Sequence, residues 1–569
     1  MTPPAPFLLA FTLFLPLSLV AEPPRIELAP DSRALAGSRV PPLHEVMPEH
    51  HLSGDGLRLV PAAGLYEWTK SGPTNEPFRL NLRVDPAKYD HATLSVWNCH
   101  NHLVHQRQVA AGPDELLSVA INGLGTYLIT LDGSRGGSYR ARLIRNLAVT
   151  GDHNAARSNW KTDEFFVGIC AFPGRYHWKP DGKPTLPHGL TEQQARDREA
   201  DLIARLGLQV VRTDESLEMG HRAKGSGGEE YYFNFSRMDA AVGSYTARGF
   251  ELALQTMNAA DWAVLPQYDH HGKNRWRYPH RERPQRAYLA ALVKRYGTRA
   301  RFVQISNEPD QTGYWSGTNE EFVNQFMYSR DEIRRIAPEL PLTNGGYSLV
   351  DEKKCGFFIN ALHELVDFPA YNAHGNLADY KRSFATMRRL QADAGDTGTR
   401  WVNTETGYSA WRLEQERRQG QIDAQKVLYA WANDHAGVLL FCSRMTRPPG
   451  RDGTPDFGFL DHQYCPRFVY GSIAALTGAL GGASFRETLL ESDNDHLYLF
   501  KRDNDLIVAG FTTGEEAAAV KIRTNASEIT SLDEMGNARP LPVTPIVSLP
   551  LDGYPRYWVL RDATEVLLP

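Results

Sequence analysis

The sequence predicts an α/β protein, a (β/α)8 TIM barrel flanked by an N-terminal β-sandwich and a small C-terminal β-domain. Three observations predict it. A chain of 569 residues exceeds what one hydrophobic core fills, so two or three domains are expected. In the middle of the chain eight short apolar runs alternate with amphipathic segments, the pattern of parallel βα units. On either side the pattern changes to period-two alternation broken by Gly, Pro, Asp and Asn, as in antiparallel sheets.

The first segment, Met1 to Ala21, holds an apolar run from Phe7 to Val20 interrupted by Pro16. That is too short for a membrane span and suits a signal-peptide core. Residues 1–21 are therefore expected to be cleaved, leaving a secreted or periplasmic protein with no membrane insertion. Residues 25–161 carry strand-like runs such as Leu80-Asn81-Leu82-Arg83-Val84, Ala92 to Trp97, Tyr127 to Leu131 and Tyr139 to Leu143. No helical segment intervenes, so this stretch reads as an accessory β-sandwich.

The barrel is expected over 162–483. Strand one is Phe165 to Cys170, and Thr191-Glu192-Gln193-Gln194 resembles a capping box opening its helix. Strand two is Gln209 to Arg212, with a helix over Ser236 to Arg248. Strand three is Glu251 to Gln255, followed by a long loop and a helix from Pro284 to Tyr296. Strand four is Phe302 to Ile305, with a helix over Asn319 to Ala337. Strand five is Leu340 to Thr343, with a helix through Phe357 to Leu365. Strand six is Phe368 to Asn372 and strand seven Trp401 to Asn403, with a helix through Ile422 to Asn433. Strand eight is Val438 to Cys442, with a last helix over Arg467 to Leu476. An open doubly wound sheet would carry a Gly-rich phosphate loop after strand one, where Ala171-Phe172-Pro173-Gly174 stands instead. Residues 484–569 return to alternation, as in His496 to Phe500 and Tyr557 to Leu560, and predict the C-terminal β-domain.

Composition narrows the function classes. The net charge is −5 from 62 basic and 67 acidic residues, without a long basic run, so no nucleic-acid or anionic-membrane surface is expected. Five cysteines stand without a C-x-x-C spacing. Cys442 and Cys465, which flank one loop, are the pair considered for a bridge beside the reading of buried free thiols. Cys99-His100-Asn101-His102 with His105 has the residue types of a metal site but lacks a second ligand pair at zinc spacing. Neither a metal nor a cofactor is expected, and no pattern sets an oligomeric state.

Candidate chemistry sits where this architecture places its active sites, at the C-terminal ends of the strands. Ser306-Asn307-Glu308-Pro309 follows strand four and Asn403-Thr404-Glu405-Thr406-Gly407 follows strand seven, so each gives the mouth one carboxylate. Glycosidic cleavage needs such a pair, one acid to protonate the leaving oxygen and one carboxylate to trap or stabilise the anomeric carbon. Aromatic and imidazole side chains in the loops after strands three and four, Trp262, His270, His271, Trp276, Tyr314 and Trp315, are candidates to stack on sugar rings or bond hydroxyls.

An Asn-Glu-Pro after strand four and a Glu after strand seven resemble the clan A glycoside hydrolases, over roughly Phe165 to Leu480. The layout, with β-rich flanks and a closing Ser548-Leu549-Pro550-Leu551 strand, is similar to the β-xylosidase and α-iduronidase group, family thirty-nine. The resemblance implies a retaining hydrolase of O-glycosidic bonds in oligo- or polysaccharides, working by double displacement. Glu308 would be the general acid/base, Glu405 the nucleophile, and Asn307 a partner of the sugar 2-hydroxyl. Arg212 would hold the nucleophile ionised and His374 would bond it. The bare residues also allow Arg212 to pair with Asp214 and His374 to be a strand-end histidine. The chain departs from the pattern at strand eight, which ends Phe441-Cys442-Ser443-Arg444 where many members carry a tryptophan. Two rivals are a catalytically silent carbohydrate-binding protein and a metal-dependent barrel hydrolase, whose His-x-His after strand one is missing.

Overall fold

The computed structural model describes residues 23–30, 32, 35, 53–54, 56–64, 66–72, 76–171, 186–187, 189–213, 218–224, 228–271, 275–410, 413–444 and 456–569. The expected signal peptide, the Phe172-Pro173-Gly174 loop and Asp214 lie outside them. Among the described residues no helix is long and apolar enough to cross a membrane.

Eight parallel strands make one sheet: β1 (Phe166–Ala171), β2 (Val210–Thr213), β3 (Glu251–Thr256), β4 (Ala300–Ile305), β5 (Leu342–Thr343), β6 (Ala370–Asn372), β7 (Trp401–Thr406) and β8 (His435–Phe441). Hydrogen-bonded order runs β5-β4-β3-β2-β1-β8-β7-β6, so the two ends of the sheet meet at β5 and β6. That seam is closed by the Asn344 side chain, which donates to the Ala370 carbonyl at 2.8 Å and accepts from its N–H at 2.6 Å, and by a parallel bridge between Tyr347 and Tyr371. The short apolar runs are explained by two-sided burial. Phe166, Cys170, Val210, Ala253, Phe302, Val402 and Leu439 fill the barrel interior, while their neighbours Val167, Ile169 and Val211 pack under the helices.

The helices are α1 (Glu192–Ala204), α2 (Ser236–Thr246), α3 (Glu282–Tyr296), α4 (Asn319–Ile336), α5 (Glu352–Leu362), α6 (Leu377–Asp393), α7 (Leu413–Ala432) and α8 (Phe468–Leu480). The capping box expected at Thr191 is formed: Gln194 N–H donates to Thr191 Oγ1 and Thr191 N–H to Gln194 Oε1. Helix α5 begins earlier than the apolar run suggested, because Asp351 caps it by accepting from Lys354 N–H at 3.1 Å. An antiparallel hairpin, Glu218–Lys224 against Gly228–Asn234, stands between β2 and α2 where no strands were expected.

Two five-stranded sheets built from Arg25–Thr150 precede the barrel and enclose their own core around Trp68, Leu80, Leu94 and Ile129. After α8, a six-stranded and a three-stranded sheet, with Trp558 and Leu549 between them, occupy Ser484–Leu567. The flanking domains touch each other as well as the barrel. Tyr554 O–H donates to the Cys99 carbonyl at 3.0 Å, and Asn537 exchanges two hydrogen bonds with the Leu124 backbone. His100 Nε2 lies 2.6 Å from Glu534 Oε1 in the same seam, and Arg556 lies 3.5 Å from Oε2. Both oxygens of Glu534 are thus occupied by protein cations or donors. Cys442 and Cys465 are not bridged: both are free thiols, Cys442 inside the barrel and Cys465 against the sandwich core.

Candidate active site

The loop after β4 holds Glu308 in a conformation that L-residues seldom adopt. Ser306 has φ 72° and Glu308 φ 41°, both in the left-handed region. Gln304, pointing into the barrel, fixes this turn by donating from Nε2 to the Ser306 carbonyl at 3.1 Å and to Asn307 Oδ1 at 3.2 Å. Glu308 N–H donates to the Gly345 carbonyl at 2.6 Å, tying the turn to the loop after β5. Asp310 anchors its far side, accepting from Ser348 N–H and Oγ–H and from Val350 N–H. Strained backbone held from several directions is a feature of functional loops.

The carboxylate of Glu308 faces two amides. Asn372 Nδ2 donates to Oε1 at 2.9 Å and Gln311 Nε2 to Oε2 at 2.6 Å. Glu308 is 7% exposed, and that burial raises its carboxyl to about 7, with the nearby charge of Glu405 adding to the effect. Glu405, at the end of β7, is driven the other way. Burial opposes its charge, but Arg212 and then His374 outweigh burial and hold it well below the usual carboxylate range. Arg212 reaches it from β2 through Nη2, while Nη1 donates to Gln304 Oε1 at 3.3 Å. His374 Nε2 lies 3.7 Å from Glu405 Oε2. The His374 ring is held between Phe441, at 5.4 Å, and Phe457, at 4.9 Å. Strand eight thus ends in Phe441, the departure from the clan A pattern already visible in the sequence, and Ser443 and Arg444 beyond it are locked to buried Glu199 of α1 at 2.6 and 3.0 Å.

Of the residues singled out from sequence, the structure brings Glu308, Glu405, Arg212, His374 and Asn307 together around one mouth. Asn307 is 4% exposed with its carbonyl oxygen bonded to Gln304, and its amide nitrogen has no protein partner among the described residues. Trp315 is corrected. It is 1% exposed, its indole N–H donates to the Thr318 carbonyl at 2.9 Å and its ring packs edge-on against Phe322, so it is core and offers no face to a ligand. Trp262 is committed to the hairpin, donating to the Met219 carbonyl at 3.2 Å and stacking on Tyr231 at 5.9 Å. His270 is exposed and packs on His271, which stacks on Tyr278, so these imidazoles belong to a loop cluster. Tyr314 meets Trp276 edge-on at 6.2 Å, both half-buried. Sequence reasoning missed Asn372, Gln311, Thr404 and Phe457, none of which carries a motif signal of its own.

No family model and no curated protein matches the chain. Solved structures do. A family 39 glycoside hydrolase from the gut symbiont Bacteroides cellulosilyticus WH2 superposes with a TM-score of 0.58 at 17% identity, over 87% of this chain and 98% of that one. This chain shares its fold. Similarity extends at lower scores to the GH39 enzyme of Xanthomonas axonopodis pv. citri, with a TM-score of 0.49 at 10% identity over 71% of this chain and 95% of that one. It extends also to a monomeric beta-xylosidase from Caulobacter crescentus CB15, with a TM-score of 0.47 at 12% identity over 69% and 95%.

Proposed function

We propose that the protein is a retaining glycoside hydrolase of the clan A type, with Glu405 as nucleophile and Glu308 as general acid/base, exported to act on oligo- or polysaccharide. One observation carries the reading: Glu308 after β4 and Glu405 at the end of β7 face one mouth in different surroundings, Glu405 paired with Arg212 and close to His374, and Glu308 buried against the amides of Asn372 and Gln311. Arg212 and His374 favour the charged form of Glu405 against burial, while burial and the Glu405 charge raise the Glu308 carboxyl to about 7. That division of labour is what double displacement requires of a free enzyme.

In the first step Glu405 attacks the anomeric carbon as Glu308 gives its proton to the departing oxygen. Formation of the glycosyl ester removes the charge from Glu405. Having given up its proton and no longer facing the Glu405 charge, Glu308 stays ionised and takes a proton from the incoming water. Asn307, with its amide nitrogen uncommitted, is placed to bond the sugar 2-hydroxyl. Phe441 and Phe457 supply the apolar floor under the reacting ring in place of a tryptophan. The shared fold with a family 39 enzyme supports the assignment, as does the Asn-Glu-Pro turn.

A panel of aryl glycosides assayed on the purified protein tests it. Turnover of at least one glycoside, abolished in Glu405→Ala and returned by azide as a glycosyl azide of inverted configuration, is expected. Saccharide binding without turnover across the panel would contradict it and favour a silent binding protein.

A further inference from the structure

Two amides bond Glu308, and only one of them is free to turn over. Gln311 reaches Oε2 with Nε2, and its side-chain oxygen has no partner among the described residues. It can donate to the carboxylate or, rotated, accept from the acid. Asn372 cannot do this. Its Oδ1 accepts from Thr404 Oγ1–H at 2.8 Å, while the alternative acceptor for that hydroxyl, the Tyr371 carbonyl, lies at 3.5 Å. With the oxygen of the amide claimed by Thr404, the nitrogen is directed at Glu308 Oε1. The pair is tightly backed. Gly346 has φ +64°, and a Cβ there would fall 2.5 Å from Thr404 Oγ1 and 2.8 Å from Asn372 Oδ1, so glycine leaves the room the bond needs. Asn372 and Thr404 are buried at 2% and 0% exposure, which strengthens the bond between them.

We infer that Thr404 is a positioning residue for Glu308, locking the Asn372 amide as a one-way donor that favours the ionised acid/base. The inference rests on the proposed glycosidase reading. Its consequence falls on the second chemical step, where Glu308 must be a base. The strand carrying the nucleophile then also governs the ionisation of its partner, through Thr404 one position before Glu405. The charged groups facing Glu308 are Glu405 on β7, Asp310 in its own loop and Arg212 on β2, and none of them changes when the Thr404 hydroxyl is removed.

Thr404→Val keeps the shape of the side chain and removes its hydroxyl. Asn372 can then present its oxygen, which suits protonated Glu308. The basic limb of kcat/KM should move to higher pH by about 0.5–1 unit, the equivalent of one neutral hydrogen bond. At acidic pH the glycosyl-enzyme should accumulate, because its base is protonated more of the time. Thr404→Ser should restore both. Asn372→Leu, which deletes the donor, should shift the limb in the same direction and serves should Thr404→Val fold poorly. Active variants whose basic limb stays where the wild type has it would overturn the inference while leaving the glycosidase reading intact. A wild-type protein that turns over no glycoside would remove that reading, and this inference with it.

Discussion

Arg212 and Glu405 form an ion pair inside the mouth of the barrel, with Arg212 2% and Glu405 8% exposed. Removing a charge from water costs several kcal/mol, so burial alone would favour the neutral acid, and the pair opposes it. Here it keeps Glu405 ionised against burial.

Arg212→Met leaves Glu405 buried without its strongest partner. Its carboxyl should then rise, and the acid limb of the pH–rate profile should move to higher pH. In the wild type the Glu405 carboxyl is lowered by folding, so its contribution to stability is present above the unfolded value and lost as pH falls through the folded one. Chemical denaturation from pH 7 downward should show that loss in the wild type and a weaker one in Arg212→Met. Identical acid limbs in the two proteins would contradict the role of Arg212.

Glu308 has the reverse sign. Its carboxyl is raised by folding, to about 7, so the unfolded chain releases its proton first and stability falls as pH rises from the unfolded value to the folded one. Glu308→Gln should therefore be more stable than the wild type at pH 8 by up to about 3 kcal/mol, and little different at pH 4. Urea unfolding of both proteins at the two pH values checks this. A Glu308→Gln variant no more stable at pH 8 than the wild type would place the group in water.

Trp315→Ala should act on the fold and not on the ligand. Losing a fully buried indole costs about 3–5 kcal/mol, read as a lower denaturation midpoint, with KM unchanged in whatever protein remains folded. Trp276→Ala, half-buried beside Tyr314, should show the opposite split, a raised KM with a small change in stability. If Trp315→Ala raised KM at unchanged stability, its placement in the core would be wrong.

The sequence carried the barrel because two-sided burial writes itself as apolar runs, and those runs recur wherever a strand lies between the interior and a helix. Glu308 and Glu405 were legible because strand ends of this architecture point at one mouth. Arg212 and His374 were legible only through the family resemblance. The partners of Glu308 were not. Asn372 lies 64 residues away along the chain, and nothing local marks an asparagine that will meet a carboxylate across a barrel. Trp315 was misjudged because a tryptophan after a catalytic strand reads the same whether it lines the mouth or caps α4, and only its N–H bond to Thr318 and contact with Phe322 decide. The strands Glu218–Lys224 and Gly228–Asn234 escaped because neither alternates apolar with polar residues: the apolar side chains Tyr231, Tyr232 and Phe233 stand consecutively. His100 met Glu534 from the other end of the chain, which no spacing could announce.

In the proposed mechanism Glu405 and Glu308 act in turn on the same sugar, the first by covalent attack and the second by passing a proton out and then in. Such a cycle inverts the anomeric carbon twice. Proton NMR of the first-formed product, recorded before mutarotation on a glycoside the enzyme cleaves, reads the outcome directly. The anomer of the substrate should appear first; first appearance of the opposite anomer would mean that water, not Glu405, attacks the sugar, and would contradict the account.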